Sequence, residues 1–300
     1  MTSGTVRLPY VNTCTTLSSA LAEPVAATAA TARTWLLLEQ PGPWGAKALT
    51  ASHLAPETGH ALERAAEGTG VRVALIRRPG RHADFRQPRQ RRVFLAHTLP
   101  GRSWVRTTRL NDPADLLGLD FTALGRGDHL GFGQSYEEEP LALVCTNGRR
   151  DRCCAVYGRP LAAELAAWEV THLGGHRFSP TMLVLPYGYA YGRLDAHRVK
   201  EVLTAAAEGR VVQDGCRGRS AWDRPGQAAE LAVRSLTGEE RAEVLTVRGT
   251  RVLHADGRAW DVDVVPAASQ PPRPESCGAA LGTPARMEVT GIRTVAAESR

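Results

Sequence analysis

Long apolar runs are missing from this 300-residue chain. No stretch of about eighteen consecutive apolar residues occurs, so no membrane-spanning helix is expected. The stretch closest to a secretory core, SSALAEPVAATAATA, is interrupted by Glu23 and Pro24 and has no basic cluster ahead of it, which argues against a signal peptide and for a cytoplasmic protein. Lysine is nearly absent, at Lys47 and Lys200 alone, so arginine carries almost all of the basic charge behind the net +6. The densest basic stretch, RRPGRHADFRQPRQRR over residues 77–92, is loop-like and broken by prolines, not a stripe interleaved with aromatics. Nucleic acid is therefore not an expected partner, and the arginines read mainly as a solvated surface. Two catalytic patterns are also missing. No CxxC pair sets up a thiol nucleophile, and the one carboxylate run, Glu137 to Glu139, reads as a solvated linker and not as a paired acid and nucleophile.

What is present is an unusual crowding of thiols and imidazoles. VCTNGRRDRCCAVYG and THLGGHRFSP bring Cys145, Cys153, Cys154, His172 and His176 into one short part of the chain. The other cysteines, Cys14, Cys216 and Cys277, lie far off. That spacing suits a reduced compartment with a metal or redox site better than a disulfide framework. Cys145 ends the apolar run LALVC, where a rigid strand hands over to a loop, a good mounting point for a ligand. Cys153 and Cys154 are adjacent and point different ways, so one is expected as a ligand and the other as a neighbour. His172 and His176 flank Gly174 and Gly175, which disfavour a helix and predict a tight loop whose backbone amides can come close to a bound group. A lone cysteine is more often a core thiol and a lone histidine more often a satisfied side chain; the combination favours ligation. Two thiolates with two imidazoles can close a tetrahedral zinc site or hold an iron-sulfur cluster.

Hydrophobic patterning predicts an α/β protein in which the same unit occurs twice. TWLLLEQP and PLALVCTN read as buried strands, each followed by a helix, at residues 55–70 and 157–167. A short strand ending in a Gly and His loop comes next, VRVALIRRPGRHADF with His82 in one copy and WEVTHLGGHRFSP in the other. A hairpin and a helical stretch close each unit. Strand, helix, strand, hairpin, helix is the order of a thioredoxin-like fold. The expected division is an N-terminal extension over 1–29, a ligand-free thioredoxin-like unit over 30–135, a ligand-bearing unit over 136–210, and a small α+β appendix over 211–300. In the appendix a helix from about Gln227, a hairpin around Asp256 and Gly257, a proline-rich linker and a last strand at MEVTGIRTV are expected.

VCTNGRRDRCCAVYGRPLAAEL with THLGGHRFSP and LVLPYGYAYGRL resembles the sucrase/ferredoxin-like family, whose second half is similar to the thioredoxin-like 2Fe-2S ferredoxins. WLLLEQPGPWG and the late SCGA resemble its members too. The resemblance implies a 2Fe-2S cluster held by Cys145 and Cys154, the latter through the pattern CAxxG ending at Gly158, and by His172 and His176 in place of a second thiolate pair. Cys153 competes for the place of Cys154. It implies an electron carrier, not a catalyst, working with a redox partner protein that Arg149, Arg150, Arg152 and Arg177 would steer. Neutral imidazoles in place of thiolates should raise the reduction potential, as in Rieske centres. The residues leave two other readings open: a structural Cys2His2 zinc site, and a thiol oxidoreductase using Cys153 or Cys154.

Overall fold

The structure, a computed structural model, describes residues 13–80 and 88–295. Its elements in chain order begin with α1 (Cys14–Ala20), β1 (Thr34–Glu39), α2 (Pro56–Ala66), β2 (Val71–Arg77), β3 (Arg91–His97), β4 (Trp104–Leu110) and α3 (Phe121–Arg126). Next come β5 (Gln134–Ser135), β6 (Leu141–Cys145), α4 (Arg152–Glu164), β7 (Trp168–Val170), β8 (Thr181–Leu185), β9 (Tyr189–Gly192) and α5 (Ala196–Ala207). The chain closes with β10 (Cys216–Arg219), α6 (Arg224–Thr237), β11 (Leu245–Arg248), β12 (Arg251–His254), β13 (Ala259–Ala268) and β14 (Ala285–Val295). No helix among the described residues is long and apolar enough to cross a membrane. His82 and the middle of the basic stretch lie outside the described residues.

Among the described residues, ten strands form one mixed sheet and four form a separate antiparallel sheet. In the first half β1 pairs parallel with β2 and antiparallel with β3, which pairs with β4. In the second half β6 pairs parallel with β7 and antiparallel with β8, which pairs with β9. The halves are not separate sheets: β2 and β7 run antiparallel and join them, and β10, from beyond residue 210, extends the far edge beside β9. Alternate residues of the strands serve opposite faces, as the two-residue period of a strand requires. Trp35, Leu37, Ile76, Leu143 and Val170 lie in a layer common to both halves, whereas Leu36, Leu38 and Leu75 pack on the other face of the first half. Val144, Met182 and Val184 pack on the other face of the second, with Val199 and Val202 of α5. α6 covers the small sheet through Ala229 and Val233 against Leu245, Val252 and Trp260.

Several boundaries differ from the sequence expectation. α4 starts at Arg152, not 157, because Asp151 caps it by accepting the amide of Cys153 at 2.8 Å. α6 starts at Arg224, capped by Asp223, a few residues before Gln227. β13 runs through Pro266 to Ala268, into the stretch expected to be linker. The arginines are not only a solvated surface either. Arg77, Arg217, Arg219 and Arg234 are buried, each with its guanidinium bound to carbonyl or carboxylate oxygens.

The seam between the halves rests on one of these groups. β2 and β7 share the register pairs Ile76 with Val170 and Arg77 with Glu169. Arg77 donates to Glu169 from Nε at 2.9 Å and to the Gly42 carbonyl at 2.6 Å, and stacks over Trp44 at 3.8 Å. Thr146 donates to the same Glu169 carboxylate at 2.6 Å. Removing one partner of a buried pair strands the other charge at a cost of about 3–5 kcal/mol. Arg77→Met is therefore expected to lower stability by that order in urea unfolding, and a loss of under about 1 kcal/mol would show that the pair does not hold the seam.

His97, fully buried on β3, sets a pH dependence. The Thr34 hydroxyl gives its proton to the Leu124 carbonyl at 2.8 Å, so it accepts from Nδ1 of His97 at 2.8 Å, and Nε2 is buried with no partner among the described residues. Burial, with repulsion from Arg102, Arg33 and Arg219, lowers the imidazole pKa from 6.5 to about 4. The unfolded chain binds this proton first. Stability from the neutral ring is thus complete above pH 6.5, falls as pH drops toward 4, and is flat below, a span of order 3 kcal/mol. His97→Gln should flatten the stability profile over that window relative to the wild type; an unchanged slope would contradict this assignment.

Candidate metal centre

β6 is buried along its whole length and delivers Cys145 to its end, 1% exposed. α4 returns against that end at unusually short range, since a Cβ on Gly158 would lie 2.1 Å from the Cys145 carbonyl oxygen. Only glycine fits there, which gives the CAxxG spacing a physical reason. Because α4 begins at Arg152, both adjacent thiols sit in its first turn, about 100° apart around the axis. Cys154 turns inward into the core layer that holds Cys145. Cys153 turns away from them, to within 3.4 Å of Cys14 and 3.3 Å of Cys277. The structure therefore brings Cys154, not Cys153, to Cys145. It also places the adjacent thiols at a helix N-terminus, which the lack of a CxxC spacing had argued against. Cys216 is a core thiol among the apolar residues on the α5 side of the sheet.

The imidazoles arrive from the loop after β7. Gly174 and Gly175 take φ of +77° and +66°, and His176 opens a single 3-10 turn to Phe178. This left-handed pair reverses the chain so tightly that the two rings lie 5.1 Å apart, inclined at 33°. The ligand atoms of Cys145, Cys154 and His172 all fall within 4.8 Å of one another, whereas His176 lies outside that group. Nδ1 of His172 and Nδ1 of His176 are both buried without a hydrogen-bond partner among the described residues. A buried polar atom left unpaired costs about 1–3 kcal/mol, and His172 with the two thiols offers a donor set that a metal ion could use.

Charge at the site is arranged by its neighbours. The neighbouring Cys154 thiol holds the Cys145 pKa well below the ordinary thiol value against burial, while Cys145 and burial push that of Cys154 up. Burial lowers the His176 pKa, which keeps its ring neutral and fit to ligate. Fully buried Arg217 donates to the Gly174 carbonyl at 3.1 Å and to the Thr28 hydroxyl at 3.0 Å, and Arg72 donates to the His172 carbonyl at 3.0 Å. Two guanidinium groups thus grip the histidine loop and set positive charge beside the thiols.

None of these supporting groups was visible in the sequence. Thr15 of α1, in the stretch read as an extension, donates to the His176 carbonyl at 2.9 Å and latches the loop from above. Arg177, expected to steer a partner, is instead paired with Glu23 at 2.9 Å and mostly buried. Arg149, Arg150 and Arg152 are exposed.

The grip of Arg217 needs Gly175, where a Cβ would lie 2.3 Å from the guanidinium and the backbone is left-handed. Gly175→Ala is expected to displace the loop and cut bound metal at this centre at least several-fold while the chain stays folded. Unchanged metal content would show that the close approach is not required.

The sucrase/ferredoxin-like family model matches residues 25–218. Comparison with curated proteins and with solved structures returns no match. The match spans both halves of the large sheet up to its edge strand, including Cys145, Cys154, His172 and His176, and the chain belongs to the sucrase/ferredoxin-like family.

Proposed function

We propose that the chain is a one-electron carrier that holds a 2Fe-2S cluster, with Cys145 and Cys154 on an inner iron and His172 and His176 on an outer one. The observation that carries this reading is a buried thiol pair within 4.8 Å of a His172 ring nitrogen, with the His176 ring 5.1 Å from that of His172. A cluster bound there would supply one-electron uptake and release. A single tetrahedral ion would draw all four donors within about 4 Å of each other. His172 falls in the tight group with both thiols and His176 just outside it, so the division of donors between two irons rests on the resemblance to the thioredoxin-like 2Fe-2S ferredoxins. In this reading each half of the large sheet is a thioredoxin-like unit, the first without ligands, and the protein works in the cytoplasm.

The surrounding residues then have definite tasks. Arg72 and Arg217 hold the histidine loop and offset negative charge at the thiols. Exposed Arg149, Arg150 and Arg152 attract an acidic redox partner, an attraction that weakens with salt. His172 and His176 are part-exposed while Cys145 and Cys154 are buried, so a bound cluster would exchange electrons on the histidine side.

Purified protein should be red-brown, contain about two irons and two sulfides per chain, and bleach with dithionite. Replacing both histidines, His172→Cys with His176→Cys, should lower the midpoint potential by the order of a few hundred mV, toward the all-thiolate range. Colourless protein with one zinc at this centre would assign it to structural zinc instead, and an unchanged potential in the double variant would remove the histidines from the ligand set.

A further inference from the structure

Three cysteines not assigned to that centre meet beside it. Cys14 comes from α1, Cys153 from the first turn of α4, and Cys277 from the segment between β13 and β14. Their sulfurs lie 3.4 Å (Cys14 to Cys153), 3.3 Å (Cys153 to Cys277) and 3.6 Å (Cys277 to Cys14) apart. All three are free thiols, and a disulfide between any two would leave the third without a role. The Asp151 carboxylate closes the group, its oxygens 3.9 and 4.0 Å from the Cys14 sulfur, and all four ligand atoms fall within 4.8 Å of one another.

We propose that Cys14, Cys153 and Cys277, with the carboxylate of Asp151, form a second metal site that takes a soft divalent transition ion, zinc first. The corners of the sulfur triangle lie about 2.0 Å from its centre, so an ion bonded to sulfur at about 2.3 Å sits about 1 Å above the triangle, as in a tetrahedral three-thiolate site. Asp151 is held for the fourth position. One of its oxygens accepts the Cys153 amide and the other the Cys277 amide, each at 2.8 Å, which leaves further lone pairs on both. Sulfur donors with one oxygen select zinc over magnesium or calcium. Four acidic groups this close repel one another once ionised, and a divalent cation removes that repulsion. On binding, the thiol protons leave to solvent and no electron is transferred.

The ion would tie three segments more than a hundred residues apart into one clamp, holding α1 and the late proline-rich loop to the first turn of α4. It would also touch the first centre, because Asp151 faces Nε2 of His176 at 3.7 Å. The proposal does not depend on what the first centre holds.

Metal analysis of the full chain by mass spectrometry tests it, with Cys277→Ser and, as a control, the remote core variant Cys216→Ser. The expected result is about one zinc per wild-type chain beyond whatever Cys145 and Cys154 hold, with X-ray absorption showing three sulfurs at about 2.3 Å. Cys277→Ser should drop that zinc at least five-fold while iron and visible colour persist, and Cys216→Ser should keep it. If the first centre also held zinc, wild-type protein would carry about two and Cys277→Ser about one, so the two assignments fail separately. Wild-type protein with no zinc beyond the first centre, or a Cys277→Ser variant that keeps its full zinc, would overturn the proposal.

Discussion

The approach of α4 to the end of β6 governs the metal region. Gly158 lies against the Cys145 carbonyl with no room for a side chain, and this contact fixes where the first turn of α4 stands relative to the strand. From that fixed point the neighbouring positions 153 and 154 diverge, one thiol into the core beside Cys145 and the other toward Cys14 and Cys277. Asp151, as the cap of the same helix, is carried between the two groups. One tight helix-to-strand contact therefore divides the thiols between two destinations.

The second constraint is electrostatic. Burying thiolates and unpaired ring nitrogens is unfavourable unless cations and ligation compensate, and the large sheet supplies fixed cations. Arg217 and Arg72 bind loop carbonyls and stand near the thiols, and Arg77 with Glu169 locks the seam from which β7 leads into that loop. Arginine suits these places because its several donors can each meet an oxygen while the charge stays fixed.

What could be read from the sequence follows how far apart in the chain each interaction reaches. Strand alternation and helical spacing lie within short windows, so the two hairpins, the helices after β1 and β6, and one hairpin and the last strand of the small final sheet were legible, whereas the turn between β11 and β12 was not. The sequence also placed Cys145, His172 and His176 in one half, where the structure sets His172 within 4.8 Å of Cys145 and Cys154 and leaves His176 outside that group. The choice of Cys154 over Cys153 depends on the start of α4, a capping detail set by Asp151, and came from the CAxxG resemblance alone. Cys14 and Cys277 were illegible as partners because their meeting depends on α1 and a loop after β13 folding back across the chain. The buried arginines were misread as surface because composition does not reveal which guanidinium groups find oxygens inside.

The central claim is that two imidazole nitrogens from the Gly174–Gly175 loop ligate the same centre as Cys145 and Cys154. Pulsed electron-nuclear double resonance on dithionite-reduced protein labelled with 15N-histidine tests it most directly. Two strongly coupled 15N nuclei, both lost in the His172→Cys and His176→Cys double variant, are the predicted result. A paramagnetic centre without strongly coupled histidine nitrogen would contradict the account.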